Sequence, residues 1–183
     1  MSRLTTLELD EMTPEQRAVA EAIASGPRGG IRGPFNAWLR SPQLADHGQQ
    51  LGAYCRYGSS LPANLSELAI ILTGKHWTSQ YEFYAHARLA LAAGVPEAAV
   101  EAIRTGGTPA FTDEREQLVH DFVTEYLRTS RVSDTTYQRA LGLIGERGIL
   151  DVVAIVGYYG LVSMTLNVFE VDLPDGVSPP LPE

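Results

Sequence analysis

The sequence predicts an all-α protein with about eight helices, and three observations support this. Apolar residues recur at helical spacing, residues that start and end helices alternate along nearly the whole chain, and no two segments pair as strands. The 183 residues are enough to bury a sizeable core, and 44% of them are hydrophobic. We therefore expect a single domain over residues 1–183.

The predicted helices begin at capping residues and end near glycines. Thr13, Pro14 and Gln16 combine an N-cap, a proline at the first helical position and a capping-box partner. Gly94 and Gly106 are natural helix ends. The predicted helical segments are residues 13–24, 41–58, 63–75, 79–93, 96–106, 112–128, 133–148 and 150–169. A glycine-rich loop over residues 25–34 and a proline-rich, extended tail over about 170–183 complete the chain.

The last predicted helix contains the most apolar stretch, residues 152–169. Gly157 and Gly160 interrupt it, and Tyr158, Tyr159 and other polar residues lie within it, which favours a buried helix over a membrane span. The first residues lack the apolar stretch of a signal peptide. We expect a cytoplasmic protein without membrane association.

Composition argues against several classes of partner and site. The formal net charge is −8, and no run of Lys and Arg is interleaved with aromatic residues, so we expect no nucleic-acid partner. The only cysteine, Cys55, cannot form an intramolecular disulfide, and we interpret it as a small buried residue. No zinc-ligand spacing is present. We expect a small-molecule partner and neither a metal nor an organic cofactor.

One short segment carries the chemistry. Ser79, Glu82 and His86 are spaced by three and four residues, so they share one helix face, and Glu67 could approach from the preceding helix. A carboxylate beside an imidazole is suited to proton transfer. Alternatives remain open: Ser79 and Glu82 also match a capping box, His86 could be a core residue, and Glu67 could serve the helix dipole.

The pattern Glu67, then Ser79-x-x-Glu82-x-x-x-His86, resembles the core signature of the carboxymuconolactone decarboxylase family. The matching core covers about residues 65–106 and includes the helix, glycine turn and helix around Gly94. The resemblance implies an AhpD-like fold, a compact orthogonal helical bundle. It also implies decarboxylation of a small carboxylated lactone from aromatic degradation, and assembly into homodimers, trimers or hexamers.

The sequence departs from the thiol-peroxidase branch of this family. That branch has Cys-x-x-Cys where this chain has Ser79 and Glu82. Serine cannot supply the thiolate that attacks a peroxide, and no disulfide can form between these positions. We therefore expect no thiol-dependent peroxidase activity at this site.

The resemblance leads to specific roles. We assign His86 as the proton-transfer group oriented by Glu82, Glu67 as a second acid or base, and Ser79 as a donor to the ligand. His76 and Arg32 are further candidates for ligand contact, although His76 could simply bond a carbonyl at its helix end. Arg88 is a weaker candidate because it lies on a different helix face. The competing hypotheses are a hydrolase or isomerase that uses the same pocket, and an oligomer that binds a ligand or has no catalytic role.

Overall fold

The computed structural model describes residues 2–26 and 29–182, and all regular structure within them is helical. Pro27 and Arg28 of the predicted loop, together with Met1 and Glu183, lie outside these residues. The α-helices are α1 (Pro14–Ser25), α2 (Phe35–Trp38), α3 (Pro42–Ala53), α4 (Ala63–His76), α5 (Gln80–Ala92), α6 (Glu97–Thr105), α7 (Glu114–Thr129) and α8 (Asp134–Val168). A π-helical segment, Tyr54–Gly58, extends α3. The all-α prediction is confirmed.

Helix α4 is the centre of the bundle. Every residue from Leu65 to Gly74 is buried, and α4 packs against α5, α7 and α8. A helix that is apolar on all sides is stable only when other helices surround it. Its burial therefore explains why the segment shows little amphipathic contrast, and it places Glu67 inside the core.

Several predicted helix ends have the expected contacts. The Thr13 hydroxyl accepts from the backbone N–H of Gln16, whose side chain accepts from Thr13 N–H, completing the capping box. Asp113 caps α7 by accepting from the backbone of Arg115. Gly106 ends α6 with φ +80°, a conformation that glycine adopts without steric cost.

The break between the last two predicted helices lies at Gly145 rather than after Gly148. Gly145 has φ +68° and ψ 175°, which interrupts α8 without ending it. Gly148 is helical instead, and a Cβ there would approach Ile144 Cβ to 2.8 Å. Of the two glycines, one supplies an unusual backbone conformation and the other makes room for a neighbouring side chain.

Two sets of close contacts hold neighbouring helices together. Gly74 lies against the start of α5, where an added Cβ would be 3.4 Å from Glu82 Cβ. Gly48 lies under the ring of Trp38, whose indole N–H donates to the Thr165 hydroxyl at 2.9 Å. These contacts fix α5 on α4, and α2 on α8.

Helix α8 passes through the core rather than standing apart from it. Its length and composition would suffice to cross a membrane, but 61% of its most apolar 18-residue stretch is buried against the rest of the molecule. Asp151 is buried within it and accepts hydrogen bonds from Tyr54 and Ser60. These features are those of a core helix.

The C-terminal segment after α8 has no regular structure but is held in place. The side-chain amide of Gln80 donates to Leu181 O and accepts from Leu181 N, at 3.1 and 2.8 Å. Arg104 donates to Pro180 O, and Leu181 is only 3% exposed. The tail is therefore tied to the first turn of α5.

Candidate active site

The three residues predicted to transfer protons come together. His86 Nδ1 lies 2.6 Å from Glu67 Oε2, and His86 Nε2 lies 3.4 Å from Glu82 Oε2. All three residues are buried, with exposed fractions of 4–8%. An ionised Glu67 can only accept, so Nδ1 carries a hydrogen and Nε2 faces Glu82. The imidazole is thus held between two carboxylates.

His86 and Glu82 form part of the wall of a cavity of about 530 Å³. The wall combines residues of the loop before α2, the π-helical segment, α5 and α8, with Pro174 of the tail. Its polar and aromatic side chains are those of Arg32, Phe35, Arg56, Tyr57, Tyr81, Glu82, Tyr84, His86, Arg88, Tyr158 and Tyr159. The cavity is large enough for a small organic ligand.

The two carboxylates have different positions relative to this cavity. Glu82 lies in the wall, whereas Glu67 does not and contacts His86 from α4. We had assigned orientation of the imidazole to Glu82 and the second acid or base to Glu67. The geometry favours the reverse: Glu67 makes the short contact that orients the ring, and Glu82 is the carboxylate that a ligand would meet.

Ser79 occupies the N-cap position of α5 without a capping hydrogen bond from its side chain, and it is not part of the cavity wall. Its hydroxyl is fully buried and makes no hydrogen bond with the described residues, and its backbone N–H donates to Gly74 O. The capping-box alternative is therefore wrong, because the Ser79 side chain makes no capping hydrogen bond. We do not retain Ser79 as a ligand contact, since it is fully buried and does not line the cavity.

His76 also lies outside the cavity. It borders a separate groove between α4, α6 and α7, and its ring packs edge-on against Trp77 with 5.4 Å between centroids. The alternative role of His76 was a hydrogen bond to a carbonyl at the helix end. Its side chain makes no such bond with the described residues. His76 therefore has no place in the site around His86.

Arg32 belongs to the cavity wall, as expected of a loop that covers a pocket. The loop is held on α5 at Gly33, which has φ +61° and packs against the Tyr81 ring. Burial raises the pKa of Tyr81, opposed in part by a hydrogen bond with the Gly33 backbone. Arg32 itself is exposed, so it stands at the mouth of the cavity.

Three wall residues were missed or given too little weight. Arg88 lines the cavity despite its different helix face, because the wall wraps around α5 to include Tyr84 and Leu89. Arg56 comes from the π-helical segment and Tyr159 from α8, both far from the signature in sequence. Nothing in the sequence around Arg56 indicates that it lines a cavity, because the cavity forms only when α3, α5 and α8 pack together.

Aromatic side chains support His86 from the α8 side. Trp38, Tyr158, Tyr159 and His86 meet edge-on in succession, with ring centroids 6.0, 5.2 and 5.0 Å apart. Burial raises the pKa of Tyr159 well above its ordinary value, and the Glu82 carboxylate raises it further. Tyr159 therefore keeps its phenolic proton and can donate a hydrogen bond within the cavity. Among the described residues, no cluster of His, Cys, Asp and Glu is arranged to hold a metal ion.

The comparisons with known proteins concern the fold. No protein-family model matches the chain, and no curated protein matches it significantly. The structure resembles a crystal structure described as an alkylhydroperoxidase AhpD core, an uncharacterized peroxidase-related protein from Ralstonia eutropha JMP134. The TM-score is 0.77 with 14% sequence identity, over 95% of this chain and 93% of that one. The chain therefore has an AhpD-like fold.

Proposed function

We propose that this protein is an acid/base enzyme of the carboxymuconolactone decarboxylase type, acting on a small carboxylated lactone or a related intermediate of aromatic degradation. The observation that carries the proposal is the 2.6 Å contact between Glu67 and His86 beside a cavity of about 530 Å³. A dry histidine with both nitrogens bonded to the backbone would have favoured a purely structural role. Here both nitrogens face carboxylates, and the residue reaches the cavity.

The chemistry needs one proton donor and one stabilised negative charge. When the bond to the carboxylate carbon breaks, carbon dioxide leaves and the electron pair moves into the adjacent unsaturated system as an enolate. His86, with Glu82 beside it, delivers a proton to the carbon that lost the carboxylate. Glu67 holds the imidazole ring in position.

Tyr159 takes the donor role that we had given to Ser79. Its phenol lies in the wall beside His86 and keeps its proton because of burial. A hydrogen bond from this phenol to the enolate oxygen would stabilise the charge that develops in the transition state. Thiol peroxidase chemistry is no part of the proposal, since Cys55 is fully buried and no second cysteine exists.

A turnover screen tests the proposal. Carboxylated unsaturated lactones and related oxo acids would be supplied one at a time, and release of ¹³C-labelled carbon dioxide would be measured. We expect one or more of them to be turned over. H86Q should lower kcat by about 10²–10⁴-fold, the typical rate contribution of a positioned acid/base group. H76Q is the matched control, because His76 lies outside the cavity, and it should retain wild-type kcat.

The competing hypotheses give different results in the same screen. Product formation without release of carbon dioxide would indicate a hydrolase or isomerase that uses this pocket. Equal rates for wild type and H86Q would contradict any catalytic role for His86. Retention of the fold in H86Q would be verified by circular dichroism.

Self-association is a further part of the proposal. Five large apolar side chains form an apolar strip along one face of α8: Leu150, Val153, Leu161, Met164 and Val168, which are 37–67% exposed. Their spacing keeps them on one side of the helix. An apolar surface of this kind on an otherwise ordered helix suits a helix–helix contact with a second copy. The cytoplasmic location stays a prediction.

A further inference from the structure

Among the described residues, three arginines line the cavity, and they differ in how their charge is satisfied. Arg32 is exposed at the mouth. Arg88 is also exposed, donates to the Tyr84 hydroxyl at 3.3 Å and stacks on the Tyr84 ring. Arg56 is half-buried in the wall. A ligand that reaches the buried part of the cavity would therefore meet Arg56, whereas Arg32 and Arg88 lie near the solvent.

Arg56 lacks a partner for part of its guanidinium group. Its Nε is completely buried, and among the described residues it has no hydrogen-bond acceptor and its side chain forms no ion pair. The guanidinium lies over the ring of Tyr57, with 5.1 Å between its carbon and the ring centroid. A buried donor without an acceptor is destabilising, so the residue is not explained by stability.

The backbone around Arg56 also departs from regular helix. Residues Tyr54–Gly58 form the π-helical segment that follows α3. Such segments are rare and occur often at functional sites, because the widened turn changes the direction of side chains. An unusual backbone and an unsatisfied guanidinium therefore coincide at one residue of the cavity wall.

We propose that Arg56 is the carboxylate anchor of this cavity. Since Nε is closed off from the cavity, the two Nη groups at the end of the guanidinium would donate in parallel to the two oxygens of one ligand carboxylate, a paired geometry that suits arginine. The rest of the ligand would lie against the tyrosines of the wall, which suits a flat unsaturated ring. The inference rests on the proposed use of this cavity as a substrate site, but not on the reaction.

The anchored carboxylate is not the one that is lost. A leaving carboxylate must give up its negative charge as carbon dioxide forms, and an ion pair with arginine would oppose this loss. A substrate that is decarboxylated here would therefore carry a second carboxylate near His86, and the product would remain an acid held by Arg56.

Binding of benzoate tests the anchor separately from turnover. Benzoate and its uncharged counterpart benzamide would be titrated into the wild type, R56Q, R56K and R32Q by calorimetry. We expect benzoate to bind the wild type at least tenfold more tightly than benzamide, and R56Q to weaken benzoate at least tenfold without affecting benzamide. R56K should bind benzoate less tightly than the wild type, because lysine retains the charge but not the paired donors.

R32Q is the matched control, since it removes the same charge from the same cavity. It should change benzoate affinity less than threefold. The anchor would be overturned by equal losses in R32Q and R56Q, by unchanged affinity in R56Q, or by absence of benzoate binding in the wild type. R56Q should also melt at or above the wild-type Tm, whereas a structural arginine would lower the Tm when removed.

The same variants separate this inference from the proposed function. H86Q should bind benzoate within threefold of the wild type while losing turnover. If no lactone is turned over but benzoate binding depends on Arg56, the reaction is wrong and the anchor stands. If turnover and substrate KM are unchanged in R56Q, the anchor is wrong and the reaction stands.

Discussion

Glu67 and His86 form a hydrogen-bonded pair of 2.6 Å between two helices, α4 and α5, that are consecutive in the chain. The pair is buried, yet His86 reaches the cavity. A carboxylate that holds an imidazole in this way fixes its orientation and the nitrogen that carries hydrogen. The consequences of this arrangement, and of the packing that produces it, can be measured.

Glu67 should matter for catalysis through His86. E67A should lower kcat more than E67Q, because a glutamine oxygen can still accept from Nδ1 whereas alanine leaves the ring without a partner; we expect at least about 10²-fold for E67A. The measurement is kcat on whichever substrate the screen identifies. E116Q is the control, since Glu116 is a buried, hydrogen-bonded glutamate outside the cavity. An equal loss in E116Q would show that the effect is structural.

Asp151 should stabilise the fold at neutral pH and lose this effect in acid. Burial would raise its pKa, but hydrogen bonds from Ser60 and Tyr54 outweigh this and hold the pKa below its ordinary value. A carboxyl with a lowered folded pKa contributes stability above its unfolded pKa of about 3.9 and loses it as the pH falls towards the folded pKa.

The D151N variant tests this contribution. It should lower the free energy of unfolding by about 2–4 kcal/mol at pH 7, because an amide cannot accept all three of the native bonds. In urea titrations the difference from wild type should shrink below about pH 4. D10N, at an exposed position, should behave like the wild type. A difference that persisted unchanged in acid would contradict a charge-based role.

Gly48 should tolerate no side chain. A Cβ there would lie 2.8 Å from the six-membered ring of Trp38, which is itself hydrogen-bonded to Thr165. G48A should therefore lower the free energy of unfolding by about 1–3 kcal/mol, the usual cost of overpacking. G142A should raise it by about 0.5–1 kcal/mol, because Gly142 is helical with open space around it. Urea denaturation would measure the free energy of unfolding of both variants, and a G48A variant as stable as the wild type would contradict the prediction.

Gln80 should control the mobility of the C-terminal tail. Its side chain makes both hydrogen bonds to the backbone of Leu181, so Q80A should free this part of the tail and speed its cleavage by protease. Pro174 of the same tail borders the cavity, so KM should rise as well. Q50A, which removes an exposed side-chain amide that donates to Asp46, should change neither the cleavage rate nor KM.

The apolar strip on α8 should mediate self-association. M164E places a charge in the middle of the strip and should shift the protein towards the monomer in sedimentation velocity at several concentrations. T135E, a charge added at an exposed position near the start of the same helix, should leave the assembly unchanged. A wild type that sediments as a monomer at all concentrations would refute the proposal.

Local signals in the sequence predicted the helices well. Thr13 with Gln16, Asp113 and Gly106 act through neighbours within a few residues, so their contacts could be inferred without the fold. Gly145 and Gly148 could not be distinguished, because both glycines satisfy a helix-break rule and only packing against Ile144 decides between them. The short helix α2 lacks a capping signal of its own.

From the sequence, only the part of the site on one face of α5 and on the preceding helix α4 could be predicted. Spacing placed Glu82 and His86 together, and the signature added Glu67. Ser79 has the same periodicity but occupies the N-cap position before α5, and it does not line the cavity. Arg56 and Tyr159 come from segments 30 residues before and 73 residues after His86, so only tertiary packing brings them to it.

Helix α8 separates two surfaces that differ in character. Tyr158, Tyr159 and Val162 face the cavity, while Leu161 and Met164 of the apolar strip lie on the other side, since successive residues turn by about 100°. Only the thickness of one helix, about 10 Å, lies between them. Attempts to redesign ligand preference through the tyrosines and attempts to alter assembly through the strip will therefore interfere with each other, and variants at either surface should be assayed for both properties.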